Sequence, residues 1–107
     1  MAGPATPRHR IIVLPWIRGI MQRFVLPNWL AITLGPLIIC WRPLEARELA
    51  HELAHVLQWR RHGLRYPWRY WRASEAAQAA GLDRYRDNAF EVEARAAELS
   101  VVETPIA

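Results

Sequence analysis

The apolar positions of this chain change period along its length. Over 43–62 they recur at three- and four-residue spacing. Ala46, Leu49, Ala50, Leu53, Val56 and Leu57 fall on one helical face, and Leu44, Glu48, His51, His55, Gln58 and His62 fall on the opposite one. Pro43 suits a first helical position and Gly63 a left-handed stop, so the spacing predicts a helix over 43–62. At about 1.5 Å per residue it is roughly 30 Å long, enough to cross a small domain. The segment 67–80 has the same punctuation, Pro67 first and Gly81 after its end, with aromatics and Arg crowded at its start. A further helix is expected from Asp87 or Asn88 to about Val101, striped by Phe90, Ala94, Ala97 and Val101. Near the start, Pro15 opens a helix reaching Phe24. Trp16, Ile17, Ile20, Met21 and Phe24 lie on one side of it, with Arg18, Gln22 and Arg23 opposite. Packing on a core is favoured for so short a helix over lying on a membrane.

Two β-rich runs, 29–34 and 37–41, surround Gly35-Pro36 and predict a hairpin or two adjacent strands. Pro36 points to an edge position or a wide turn, since it cannot donate to a ladder. The expected fold class is α+β: a short hairpin or sheet, then a long helix and two more. It spans 11–101 as one domain, between a flexible tail at 1–10 and another at 102–107.

Composition narrows the functions available. A chain of 107 residues supports one domain and excludes dinucleotide folds built from two βαβ halves. Half of it is hydrophobic and six residues are Trp, so it is no disordered chain. The lone Cys40 excludes a disulfide framework and a Cys-rich zinc site, and in its apolar run it is expected to pack as a small hydrophobe. All 14 basic residues are Arg, and the net charge is +4. Residues 1–23 carry +4 and residues 87–107 carry −4. No nucleic-acid-binding motif accompanies the excess, so a solvated Arg-rich surface is favoured over binding to nucleic acid or anionic lipid. The uncharged run 24–41 is interrupted by Pro27, Asn28, Thr33, Gly35 and Pro36, which argues against a membrane span. The apolar run 11–17 is too short for a signal peptide and has no cleavage site after it. A cytoplasmic protein is expected.

The long helix carries His51-Glu52-Leu53-Ala54-His55. Two His at i and i+4 project from one face a turn apart and can share a zinc ion through their imidazoles. Glu52 points about 100° away around the helix, beside such an ion, where it can take a proton from a zinc-activated water. A catalytic zinc needs a third protein ligand. His62 lies about 10 Å further along the helix, too far to share the ion, and is expected to cap the helix C-terminus. A carboxylate from the last helix is the better source. Glu91 lies beside its apolar stripe, while Glu93 points about 200° away. Glu91 is therefore favoured, with Glu93, Glu98 and Asp87 as alternatives. A competing role for Glu91 is a capping box with Asn88.

These residues resemble the gluzincin branch of zinc metallopeptidases, and more narrowly small bacterial proteins with H-E-L-x-H-V-x-Q and a later N-x-x-E-x-E-A. Here the two motifs read His51 to Gln58 and Asn88 to Ala94. The resemblance implies a minimal zincin-like domain with Zn2+ on His51, His55 and Glu91, and Glu52 as general base. It also implies a hairpin edge that aligns an extended peptide. One departure stands out. Relatives of this kind often carry Asp or Asn four residues after the ligand Glu to hold a zinc-bound His, and here that position is Arg95. Glu48, a turn before His51, is a candidate replacement. For the oxyanion donor a peptidase needs, Tyr85 comes first, ahead of Tyr66, Tyr70 and His62. The leading expectation is a zinc metallopeptidase acting on a peptide or protein. The alternatives are a non-catalytic zinc-binding interaction module and, behind it, an Arg-rich binder of nucleic acid or a membrane surface.

Overall fold

The computed structural model describes residues 6–101. It contains β1 (Arg10–Val13), α1 (Ile17–Phe24), β2 (Ala31–Leu34), β3 (Leu37–Cys40), α2 (Ala46–His62), α3 (Tyr66–Ala79) and α4 (Ala89–Glu98). A 3-10 turn, Gly63–Arg65, links α2 to α3. The class is α+β, as the periodicities imply.

β3 is the central strand, parallel to β1 on one side and antiparallel to β2 on the other. The β2–β3 hairpin turns on Gly35 and Pro36, with Leu34 opposite Leu37. Gly35 has a φ of +62°, the conformation a two-residue turn of this kind asks of its first position. Pro36 therefore sits in a tight turn and not on an edge strand. Its carbonyl accepts the Arg10 N–H at 2.8 Å, where β1 joins the sheet. Ile38 and Cys40 point inward from β3 and, with Val56 of α2, are wholly buried. Cys40 thus packs as the small hydrophobe its surroundings suggest.

β1 has no counterpart in the sequence reading, which places a tail up to residue 10. Ile11, Ile12 and Val13 form too short a run to carry a period, and they become a strand only by pairing with β3. Pro7 is buried and His9 Nδ1 donates to the Pro7 carbonyl at 2.8 Å, so the ordered chain begins before residue 11. The other expected tail residues, 1–5 and 102–107, lie outside the described residues.

The helices start and stop where local chemistry satisfies their ends. α2 begins at Ala46, three residues later than Pro43 suggests, because Glu45 and Glu48 form a reciprocal capping box. Gly63 ends it at a φ of +61°. Pro67 falls in the first turn of α3. Asn88 caps α4 by accepting the Phe90 N–H at 2.8 Å. α4 ends at Glu98, short of Val101.

Two expectations about packing fail. The stripe expected to face the core of α2 does so only in part: Leu57 is exposed, while His55 and Gln58, from the opposite face, are buried. α2 is covered on both sides, by β2 and by α4, and α4 presents the small Ala94 there, so the polar face of α2 is enclosed as well. α1 buries none of its residues, contrary to the core-packed helix expected. Gln22 donates to the Trp29 carbonyl and Arg18 lies over the Trp41 ring, which leaves the opposite side of α1 open. No helix among the described residues is long and apolar enough to cross a membrane.

Candidate metal centre

His51 and His55 sit one turn apart on α2 and face α4, which brings Glu91 against them. His55 Nε2 and Glu91 Oε1 are 2.8 Å apart, His51 Nε2 and Glu91 Oε1 3.3 Å, and the two imidazole Nε2 atoms 3.2 Å. Ligands held tetrahedrally at 2.0–2.1 Å from a common ion lie roughly 3.3 Å from one another. The spacing fits one metal ion, and these three residues can hold it.

The outer hydrogen bonds decide which ring atoms are free. His51 Nδ1 donates to Glu98 Oε2 at 3.0 Å, and His55 Nδ1 donates to Gln58 Oε1 at 2.8 Å. The Gln58 amide cannot be turned around. Its Nε2 donates to the Phe90 carbonyl and to Glu93 Oε1, both at 2.9 Å, and Tyr66 donates to its oxygen at 2.6 Å. With both Nδ1 atoms committed as donors, both Nε2 lone pairs converge with a carboxylate oxygen. Three acceptors at that distance repel unless a cation lies among them, either a proton or a metal ion.

In the metal-free state a proton plays that part. Burial alone would lower the His51 pKa, but the carboxylates of Glu91 and Glu98 outweigh it and raise it to about 9. His55 is also raised, burial again being overcome by Glu91. Glu91 is 3% exposed, and burial would raise its pKa; the two imidazoles and the Tyr70 hydroxyl, 2.9 Å from Oε2, bring it down to about 2 instead. Among the described residues no buried side-chain polar atom lacks a partner.

Asn88 sets the entry of α4 into this arrangement. It is fully buried, and its Nδ2 donates to the Tyr70 carbonyl and the Ser74 hydroxyl, which ties α4 to α3 three residues before Glu91. Its role is therefore a helix cap and a clamp, and Glu91 stays free of the capping box considered for it.

Glu52 lies beside the three ligands on the wall of a cavity of about 440 Å³. Thr33, from β2, donates to Glu52 Oε1 at 3.0 Å. Burial raises the Glu52 pKa, the nearby His55 and His51 pull it back, and the net shift is upward. The remaining wall is mostly apolar, including Val25, Leu26, Trp29 and Ile32. Tyr66, Tyr70 and Tyr85 all reach it. Tyr66 is spent on Gln58 and Tyr70 on Glu91. The Tyr85 hydroxyl makes no hydrogen bond among the described residues. Burial and the Glu91 charge push its pKa up to about 12, so it stays a neutral donor.

Other sequence candidates fall outside the centre. Glu93 is half-exposed and reaches it only through Gln58, with Arg61 3.6 Å away on its other oxygen. Asp87 accepts the Asp83 N–H in the preceding loop. His62 neither joins the ligands nor caps α2: its Nδ1 accepts from Arg69 at 2.7 Å, and its ring stacks on Tyr66. Glu48 does not orient His51, because it is held by the Arg42 guanidinium at 2.7 and 2.8 Å and by the capping box. Glu98 does that work, two turns after Glu91. Arg95, where a carboxylate or amide was looked for, donates to the Arg86 carbonyl and fastens the loop before α4. Sequence reasoning missed Gln58, Thr33 and the clamp made by Asn88. Gln58 alone carried a signal, lying one turn past His55 on the His face. No protein family, curated protein or solved structure matches the chain.

Proposed function

We propose that this protein is a zinc-dependent peptidase of gluzincin type. The observation that carries the reading is the convergence of His51, His55 and Glu91 with Glu52 in one cavity. Two imidazoles and one carboxylate form a donor set suited to catalytic zinc. Bound there, zinc supplies Lewis acidity, polarising a carbonyl and making a water nucleophilic near neutral pH.

The chain's own groups account for the rest. Glu52 takes the proton of the attacking water and returns it to the leaving amine, and its raised pKa brings it nearer the working pH. Thr33 occupies one carboxylate oxygen and so leaves the other for that proton. Tyr85 lines the same cavity and is the donor proposed for the oxygen that gains charge during attack. Among the described residues β2 is an edge of the sheet. By the alternation of an antiparallel ladder, Ala31 and Thr33 turn their backbone groups to that edge. Trp59 Nε1 already donates to the Thr33 carbonyl at 2.9 Å, so an extended substrate would pair chiefly around Ala31. The apolar walls favour an apolar side chain next to the bond cleaved.

Glu52→Gln should retain zinc and lower peptide hydrolysis at least about a hundredfold. The readout is cleavage of a broad peptide library by zinc-loaded protein, with metal content measured in parallel. Wild type that holds zinc yet cleaves nothing would overturn the peptidase reading and leave a zinc-binding interaction module.

A further inference from the structure

We infer that the α1 face docks on an anionic membrane surface. Trp16, Ile20 and Phe24 follow one another at four-residue spacing and form a ridge about 12 Å long. They are 67%, 52% and 74% exposed. Ile17 and Met21, along the inner margin of the ridge, and Gln22, on the far side of the helix, are half-buried, so the ridge is the outward side. Arg23 flanks it, with its guanidinium 5.5 Å from the centre of the Phe24 ring. Arg18 is on the far side of the helix, with its guanidinium over the Trp41 ring. Rings that sink to the acyl boundary, with Arg stems reaching back to headgroups, are the working parts of an interfacial helix.

Charge chooses the partner. Residues 1–41 hold four Arg and no acidic residue, and Arg23 stands beside the ridge. A second copy on this face would set Arg23 against its equivalent. A nucleic acid would satisfy the Arg and leave the ridge in water. An anionic bilayer satisfies both, and it accepts a convex ridge that a protein partner could cover only with a matching groove.

A second surface points the same way. Leu64, Trp68 and Trp71 are exposed on the 3-10 turn and α3, with Arg65 and Arg72 among them, and no acidic residue lies between Glu52 and Glu75. The Arg72 guanidinium is 5.2 Å from the Trp68 ring centre. Both surfaces run directly into the cavity walls, α1 through Val25 and Leu26 and α3 through Pro67 and Tyr70. Docking therefore presents the cavity to chains at the membrane surface; that consequence rests on the peptidase reading, whereas the docking itself does not.

The test is co-sedimentation of the full chain with vesicles of mixed phosphatidylglycerol and phosphatidylcholine, against phosphatidylcholine alone. Binding to the mixed vesicles should be the stronger and should weaken as salt is raised. The triple variant Trp16→Ser, Ile20→Ser, Phe24→Ser should lose more than about tenfold in partitioning, with circular dichroism and zinc uptake unchanged. Arg23→Gln should lose about fivefold. Failure of the wild type to bind mixed vesicles would overturn the inference. So would unchanged binding by the triple variant, or a wild-type dimer that the same three substitutions dissociate without lipid.

Discussion

Between α2 and α4 the buried polar side chains are His55, Gln58, Asn88 and Glu91; on α1, two turns of Trp, Ile and Phe stand in solvent. The two regions reverse the ordinary distribution of polar and apolar groups. Burying a charged pair costs several kcal/mol per ion before pairing returns any of it. Leaving a large apolar side chain exposed forgoes about 1.5–3 kcal/mol of burial. The interior region offsets its cost with a hydrogen bond for every buried polar atom, and those bonds turn three lone pairs toward one point. α1 has no such offset within the described residues. The inner region could hold a cation, and the outer one, within the described residues, has no apolar cover.

The largest effect that can break this contrast is expected at Glu91. Glu91→Ala should abolish metal binding, read as metal content after dialysis. It should also lower the stability of the metal-free protein by about 3 kcal/mol in urea denaturation, because two buried imidazoles lose their counter-charge. Gln58→Leu tests the outer layer alone. Metal affinity should fall about 10- to 100-fold in a chelator competition, and stability should fall by about 2 kcal/mol, since the Phe90 carbonyl and the His55 Nδ1–H each lose a partner and the Tyr66 hydroxyl loses its acceptor.

A pH titration of the metal-free protein sharpens the same point. The His51 pKa is raised from 6.5 to about 9, so its contribution is full below about pH 6.5 and is lost as pH rises through 9. The Glu91 pKa is lowered from 4.5 to about 2, so its contribution is full above about pH 4.5 and is lost as pH falls toward 2. Together they stabilise the metal-free fold most between about pH 4.5 and 6.5. Urea midpoints measured across pH should show that maximum, and added metal should remove the alkaline decline by replacing the proton. The smallest effects belong to α1. Trp16→Ser, Ile20→Ser and Phe24→Ser, made singly, should each shift stability by less than about 0.5 kcal/mol in thermal melts. A loss comparable to that at Gln58 would show that α1 packs inward after all.

Much of the site was legible because a helix turns period into direction. His51 and His55 share a face by spacing alone, and Glu91 was separable from Glu93 by 200° of rotation. The roles of Glu48 and Glu98 were not separable in that way. Both carboxylates lie within reach of a helical His in principle; Arg42 took one of them, and the placement of α4 brought the other to His51 Nδ1. Tyr85 stood ahead of Tyr66 and Tyr70 only by its place before Glu91; the hydrogen bonds that engage the other two come from the packed chain.

The helices, the hairpin and the histidine pair follow from local rules: period, capping and the i to i+4 reach of a helix face. β1, the burial of the polar face of α2 and the exposure of α1 do not. Each depends on what a distant segment places opposite it: β3 beside Ile11 to Val13, Ala94 against the His face, and nothing among the described residues against Trp16 to Phe24. A sequence states which groups share a face, whereas only the packed chain decides what that face meets.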